Sequence, residues 1–155
     1  MTPTIRSATA ADIPELARLR WQLYTKQGPP GESFDVYVGR FTTFATDALS
    51  GGHWPAWVAE RDGSLITALW LQTVPRVPAP WARRTRPIGY LTNAFVQPDH
   101  ASQGLGSRLL QTVVAYCEAT AHVLVMAWPA DDAYRFYERQ GFLRPPDPLV
   151  RCIDP

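Results

Sequence analysis

The stretch Pro98-Asp99-His100-Ala101-Ser102-Gln103-Gly104-Leu105-Gly106-Ser107-Arg108-Leu109-Leu110 lies between one apolar run and the start of another. The amides of Gln103, Gly104, Leu105, Gly106 and Ser107 fall where a helix begins, so their donors lack partners in the chain and the helix dipole is positive. Glycine there lets an anion approach the main chain with no Cβ in its way. A diphosphate suits such a cradle, and the plainer reading, that the glycines merely turn the chain into the helix, stands beside it. The familiar phosphate loops do not fit: GxGxxG fails at Leu109, and no Gly-Lys pair is present for a P-loop.

A second stretch, Ala133-Tyr134-Arg135-Phe136-Tyr137-Glu138-Arg139-Gln140-Gly141-Phe142, has the form AxxFYExxGF. With FVxPxxxxxGxGSxLL, which runs from Phe95 to Leu110, it resembles the GNAT superfamily of acetyl-CoA-dependent N-acetyltransferases. The opening TIRSATAADIPEL and the chain length are similar to that family as well. The resemblance implies a cofactor arm lying between two splayed strands, held by main-chain groups of Ala94, Phe95 and Val96, with the Val96 amide facing the oxyanion. It further implies that Gln103, Gly104, Leu105, Gly106, Ser107 and Arg108 take the pyrophosphate, and that Tyr137 protonates the departing thiolate. A phenol of ordinary pKa about 10 stays protonated at neutral pH and can donate to a thiolate of parent pKa about 8.5. Acetyl-CoA as co-substrate, an amine as acceptor and no metal follow from the same resemblance. Two positions depart from the family pattern: Ala101 replaces a Gln or Arg, and Ala130 replaces an Asn. Both departures loosen the expected grip on cofactor and keep a second reading open, a non-catalytic acyl-CoA sensor on the same fold.

The general base is harder to find. The fourth strand's polar members are Tyr90, Thr92 and Asn93, and alternation puts Asn93 on the face opposite Thr92. Asn93 can orient substrate or a water but cannot take a proton as a carboxylate does. Glu60 is the nearest carboxylate in the pattern and reads as a solvated hairpin residue. His53 and His122 read as cap or surface histidines. A water relay is the expectation. Phe34, Tyr37 and Phe41 could line an acceptor pocket, although an aromatic stripe at helical spacing more often packs a core. Arg76, Arg83, Arg84 and Arg86 could read an acceptor's anion or dock a partner protein, but are expected to lie in a solvated connection made stiff by proline.

The elements that must carry these residues are legible in outline. Thr4 to Ala8 reads as a strand, Asp12 with Glu15 as a helix cap, and Ile13, Leu16, Leu19 and Leu23 as a helix stripe. Phe34, Tyr37, Phe41 and Phe44 mark a second helix ending near Gly51-Gly52. Arg61-Asp62-Gly63-Ser64 joins two strands as a hairpin. A strand IGYLTNAFV, the helix from Leu105, a strand HVLVMAW and a helix DAYRFYERQ follow, the last capped by Asp131 or Asp132 and stopped at Gly141. The tail FLRPPDPLVRCI allows two short strands. These give an α/β (α+β) fold: a mixed, mostly antiparallel central sheet of about seven strands with four helices. Strands 4 and 5 are expected to be parallel and, from the resemblance, splayed.

The totals bound the rest. At 155 residues, 46% hydrophobic and 19% charged, the chain reads as a single domain over 1–155. A net charge of +1 argues against a dedicated nucleic-acid or anionic-membrane binder. The longest apolar run, Val123 to Trp128, is too short to span a bilayer, and the N-terminus lacks a signal pattern, so a cytoplasmic setting is expected. Cys117 and Cys152 form no CxxC. A homodimer through the C-terminal strands is expected only by analogy.

Overall fold

In a computed structural model, which describes residues 2–144, a five-stranded sheet carries two helices on each face. In chain order the elements are β1 (Thr4–Ser7), α1 (Ile13–Thr25), α2 (Phe34–Ser50), β2 (Ala56–Arg61), β3 (Ser64–Val74), β4 (Ile88–Val96), α3 (Leu105–Ala119), β5 (Leu124–Ala127) and α4 (Tyr134–Arg139). The strands lie in sequence order, antiparallel except for β4 and β5, which are parallel because α3 crosses between them. The expected sheet of about seven strands is corrected to five among the described residues. Phe142–Arg144 form no strand, because the chain there closes the turn of α4. The remainder of the tail expected to form strands, 145–155, lies outside the described residues.

Strand alternation sorts the core into two layers. Ala56, Val58, Ala68 and Trp70 face α1 and α2, packing with Leu16, Leu19, Phe41 and Ala45. Trp57, Leu69, Leu71 and Leu91 face α3, packing with Leu109, Leu110, Val113 and Cys117. The β2–β3 hairpin turns at Asp62 (φ 52°) and Gly63 (φ 77°), the two left-handed residues that a tight right-twisted hairpin requires.

Two helix caps differ from expectation. Asp12 does not open α1 by pairing with Glu15. It closes a short turn instead, accepting from the Thr9 amide at 2.7 Å and from the Arg6 guanidinium at 2.8 Å, while Glu15 binds Arg18. Asp131 and Asp132 likewise sit in a 3-10 turn before α4, whose N-cap position is Ala133 with no side-chain cap.

Candidate active site

The site begins with an irregularity in β4. Trp70 pairs with Thr92 and Ala68 with Phe95, so Asn93 and Ala94 together oppose Leu69 in a β-bulge. Asn93 takes φ 55°, a conformation that Asn tolerates better than most non-glycine residues. The extra residue inverts the strand's parity. Leu91 packs on the α3 face and Phe95 on the α1–α2 face, although in a regular strand residues four apart share a side. Asn93 is therefore not opposite Thr92, as alternation predicts; both line one cavity on the α1–α2 face.

Just before the bulge the sheet opens. β5 pairs with Ile88, Gly89, Tyr90 and Leu91 only, so from Thr92 onward β4 has no strand partner on that edge among the described residues. The Phe95 carbonyl is turned the other way and accepts from the Thr67 hydroxyl at 2.5 Å, and the Gln97 amide donates to Ile66 at 2.9 Å. Alternation between those two leaves the main chain of Val96 facing the opening.

The start of α3 stands over the same strand. A Cβ at Gly106 would lie 3.5 Å from Cγ2 of Val96 and 3.7 Å from the Phe136 ring. From Ser102 to Ser107 no amide has a partner among the described residues; the first bond returning into the turn runs from the Arg108 amide to the Gly104 carbonyl at 3.1 Å. Gly104 has φ 71° and open space where a Cβ would project. Residues flanking the loop fix it: Arg61 reaches His100 at 3.1 Å and Gln103 at 3.4 Å, and Gln140, just after α4, donates to the Ser107 hydroxyl at 3.1 Å. This run of free donors at a positive helix end fits a diphosphate.

Tyr137 is held on the α3 side, in the cluster that contains Leu91, Val125 and Ala127, where β4 and β5 last pair. Its backbone is pinned by a paired turn: the Phe142 amide donates to the Tyr137 carbonyl at 3.1 Å and the Gly141 amide to Glu138 at 3.0 Å, with Gly141 at φ 87°. The Phe142 ring then packs edge-on against Tyr137 at 5.3 Å. Burial, and to a lesser degree Tyr90, pushes the Tyr137 phenol above its ordinary value, so it is an O–H donor at neutral pH.

On the opposite face a cavity of about 420 Å³ opens between α1, α2 and the bulge. Phe41, Phe44, Trp54 and Trp70 form its walls, with Arg20 and Asn93 towards β4. Arg20 donates to the Asn93 carboxamide oxygen at 3.0 Å. No carboxylate belongs to this lining among the described residues.

The sequence model of the acetyltransferase (GNAT) family matches residues 13–142. The chain belongs to that family. It is an acyltransferase by membership, and GNAT solved structures share its fold. A predicted acetyltransferase from Clostridium acetobutylicum, crystallised with acetyl-CoA, superposes with a TM-score of 0.82 at 19% identity, covering 98% of this chain and 97% of that one. A GCN5-related N-acetyltransferase from Ralstonia eutropha JMP134 gives 0.79 at 18%, covering 99% and 100%. The glucosamine-6-phosphate N-acetyltransferase of Arabidopsis thaliana gives 0.74 at 17%, with the same coverage. A search of curated proteins returned no match.

Within this GNAT chain, Ala94, Phe95 and Val96 lie together at the opening, and the residues from Gln103 to Arg108 at the mouth of α3. The carboxylate and histidines weighed as bases are elsewhere. Glu60 is bonded to Arg6 at 2.9 Å, His53 is exposed, and His122 is buried between Thr120 and Thr73. Arg86 donates to the carbonyls of Ala121 and His122, bracing the approach to β5. Sequence reasoning missed Arg20. Its signal was its place four residues after Leu16, a cation at the margin of an apolar helix stripe. Among the described residues no group of His, Cys, Asp and Glu could hold a metal ion, and no helix is long and apolar enough to cross a membrane.

Proposed function

We propose that this GNAT protein transfers an acetyl group from acetyl-CoA to a primary amine by direct attack, with Tyr137 as general acid. The observation that carries the reading is the parting of β4 from β5 beyond Leu91, with free α3 amides at one mouth and an aromatic cavity across the sheet. Amides of Gln103 to Ser107, with the Arg108 cation, hold the diphosphate. Main chain at Ala94 and Val96, on either side of Phe95 whose carbonyl is turned to Thr67, guides the pantetheine arm, and the Val96 N–H faces the oxyanion. The amine nitrogen forms a bond to the acetyl carbon, the carbon–sulfur bond breaks, Tyr137 gives its proton to the sulfur, the amine's surplus proton leaves to water, and the Tyr137 phenolate takes a proton back from water. Asn93 orients the acceptor through its contact with Arg20.

The test is a thermal-shift titration with acetyl-CoA and free CoA, followed by turnover on a panel of amines. Stabilisation by both cofactors and acetylation of at least one amine is expected. Stabilisation without transfer to any amine would leave a binding module and overturn catalysis.

A further inference from the structure

The cavity beside the bulge carries a chemical signature of its own acceptor. Its lining holds two guanidinium groups, two indoles and three hydroxyls against a single side-chain amide and no carboxylate among the described residues. Arg20 and Arg40 are both there, and Glu32 engages Arg40. Arg20 has no carboxylate partner among the described residues: one nitrogen donates to Asn93 and the guanidinium lies 4.7 Å over the Tyr24 ring, leaving donors of its fork free. The one side-chain carbonyl in the lining, that of Asn93, is already taken by Arg20. Two further side chains of the lining, Tyr37 and Trp70, hold polar atoms with no partner, and Trp70 is only 2% exposed. Burial pushes the Tyr37 phenol up to about 12, so it is a neutral donor.

A ligand complementary to such walls brings acceptors and negative charge. A guanidinium fork matches a carboxylate in two parallel bonds. A polyamine or a lysine side chain in a basic sequence would bring cations towards Arg20, whose charge no carboxylate offsets among the described residues, and find no carboxylate in the lining. The remaining walls, Phe41, Phe44, Trp54 and Trp70, call for an apolar body, and about 420 Å³ is within the range of small-ligand sites. A cation beside the cavity also disfavours the ammonium form of a bound amine, which helps explain how attack proceeds with no carboxylate base in the lining.

Resting on the acetyl-transfer reading, we infer that the acceptor is a free amino acid with a large apolar or aromatic side chain, its carboxylate bound by Arg20 and its side chain set against the aromatic wall.

The experiment compares turnover of phenylalanine, phenethylamine and spermidine by the wild type, Arg20→Gln and Arg20→Lys. Alongside it, calorimetry follows N-acetylphenylalanine binding in the presence of CoA. The wild type should prefer phenylalanine to phenethylamine by about tenfold or more in kcat/KM. Arg20→Gln should bring that ratio near one, with acetyl-CoA affinity retained, and Arg20→Lys should restore part of it. Transfer to phenethylamine or spermidine in preference to phenylalanine overturns the acceptor class while keeping the acetyltransferase. Binding of N-acetylphenylalanine through Arg20 with no transfer to any amine upholds the pocket and overturns the reaction. Failure of both overturns both. Should Arg20→Gln fold poorly by thermal melting, the wild-type preference and the Arg20→Lys ratio still decide.

Discussion

Arg20 of α1 reaches the side chain of Asn93, the left-handed residue of the β4 bulge, across 73 positions of sequence at 3.0 Å. That bond ties α1 to the irregularity beside which β4 leaves β5. The backbone conformation and the side-chain contact are separable. Asn93→Gly keeps φ 55° accessible and removes the contact, so it should melt within a few degrees of the wild type and bind acetyl-CoA normally while losing turnover. Asn93→Val places a β-branched residue in the left-handed region, costing about 1–2 kcal/mol or more, or roughly 2–8 °C in a domain of this size. An unshifted melting curve for Asn93→Val would mean that the bulge does not depend on Asn.

Tyr137→Phe removes the hydroxyl and leaves the ring that packs on Phe136 and Phe142. Turnover should fall by about 10²-fold or more, the usual worth of a positioned acid, with little change in acetyl-CoA affinity by calorimetry. The phenol acts only when protonated, and burial holds its pKa above the ordinary value near 10. The wild-type pH profile should therefore climb as the acceptor amine loses its proton and show no descending limb from this group below about pH 10. Wild-type turnover in the Phe variant removes Tyr137 from the chemistry.

The parts of this molecule that sequence revealed are those set by local chemistry. Asp62-Gly63 specifies a turn with two left-handed residues, and Gly141 specifies the stop of α4, because few other residues accept those angles. Gly104, at φ 71° just before α3, marks a helix start for the same reason. The bulge was not legible, since its register is decided between two strands: Asn93 reads as one more member of an alternating run until β3 is laid beside it with Leu69 opposite two residues. The caps failed for a related reason. Asp12 satisfies a local cap motif, but Arg6 on β1 and the Thr9 amide outcompete it. Arg20 was missed because its meaning lies in a cavity that forms only when α1, α2 and β4 come together.

Gly104 tests the cradle. Valine there forces a β-branched residue to φ 71° and puts a side chain into the space left open beside the unpartnered amides. The dissociation constant for acetyl-CoA should rise by about tenfold or more, with strain of roughly 1–2 kcal/mol appearing as a lower Tm. Gly39→Ala is the control: no neighbour lies within 4 Å of its Cβ position on helix α2, so it should raise stability by up to about 1 kcal/mol and leave binding alone. Normal acetyl-CoA affinity in Gly104→Val would move the diphosphate away from the mouth of α3.

The last prediction concerns acid stability. The Arg6 fork bonds both oxygens of Asp12 at 2.8 Å and also holds Glu60, joining β1, β2 and the entry to α1. The Asp12 side chain is only 9% exposed. Chiefly through the Arg6 bonds, and against the opposing effect of burial, its carboxyl is held down at about 2. Because the folded value lies below the unfolded one near 4, the group favours folding above pH 4, and the contribution drains away as pH falls through 2. Asp12→Asn keeps the shape and removes the charge, so at pH 7 it should be less stable by about 2 kcal/mol in urea unfolding. Its stability should also fall less steeply than the wild type's between pH 4 and pH 2, so the two proteins converge at the acid end. A gap between them that is constant from pH 7 to pH 2 would show that Asp12 acts through packing alone, with no titrating ion pair behind it.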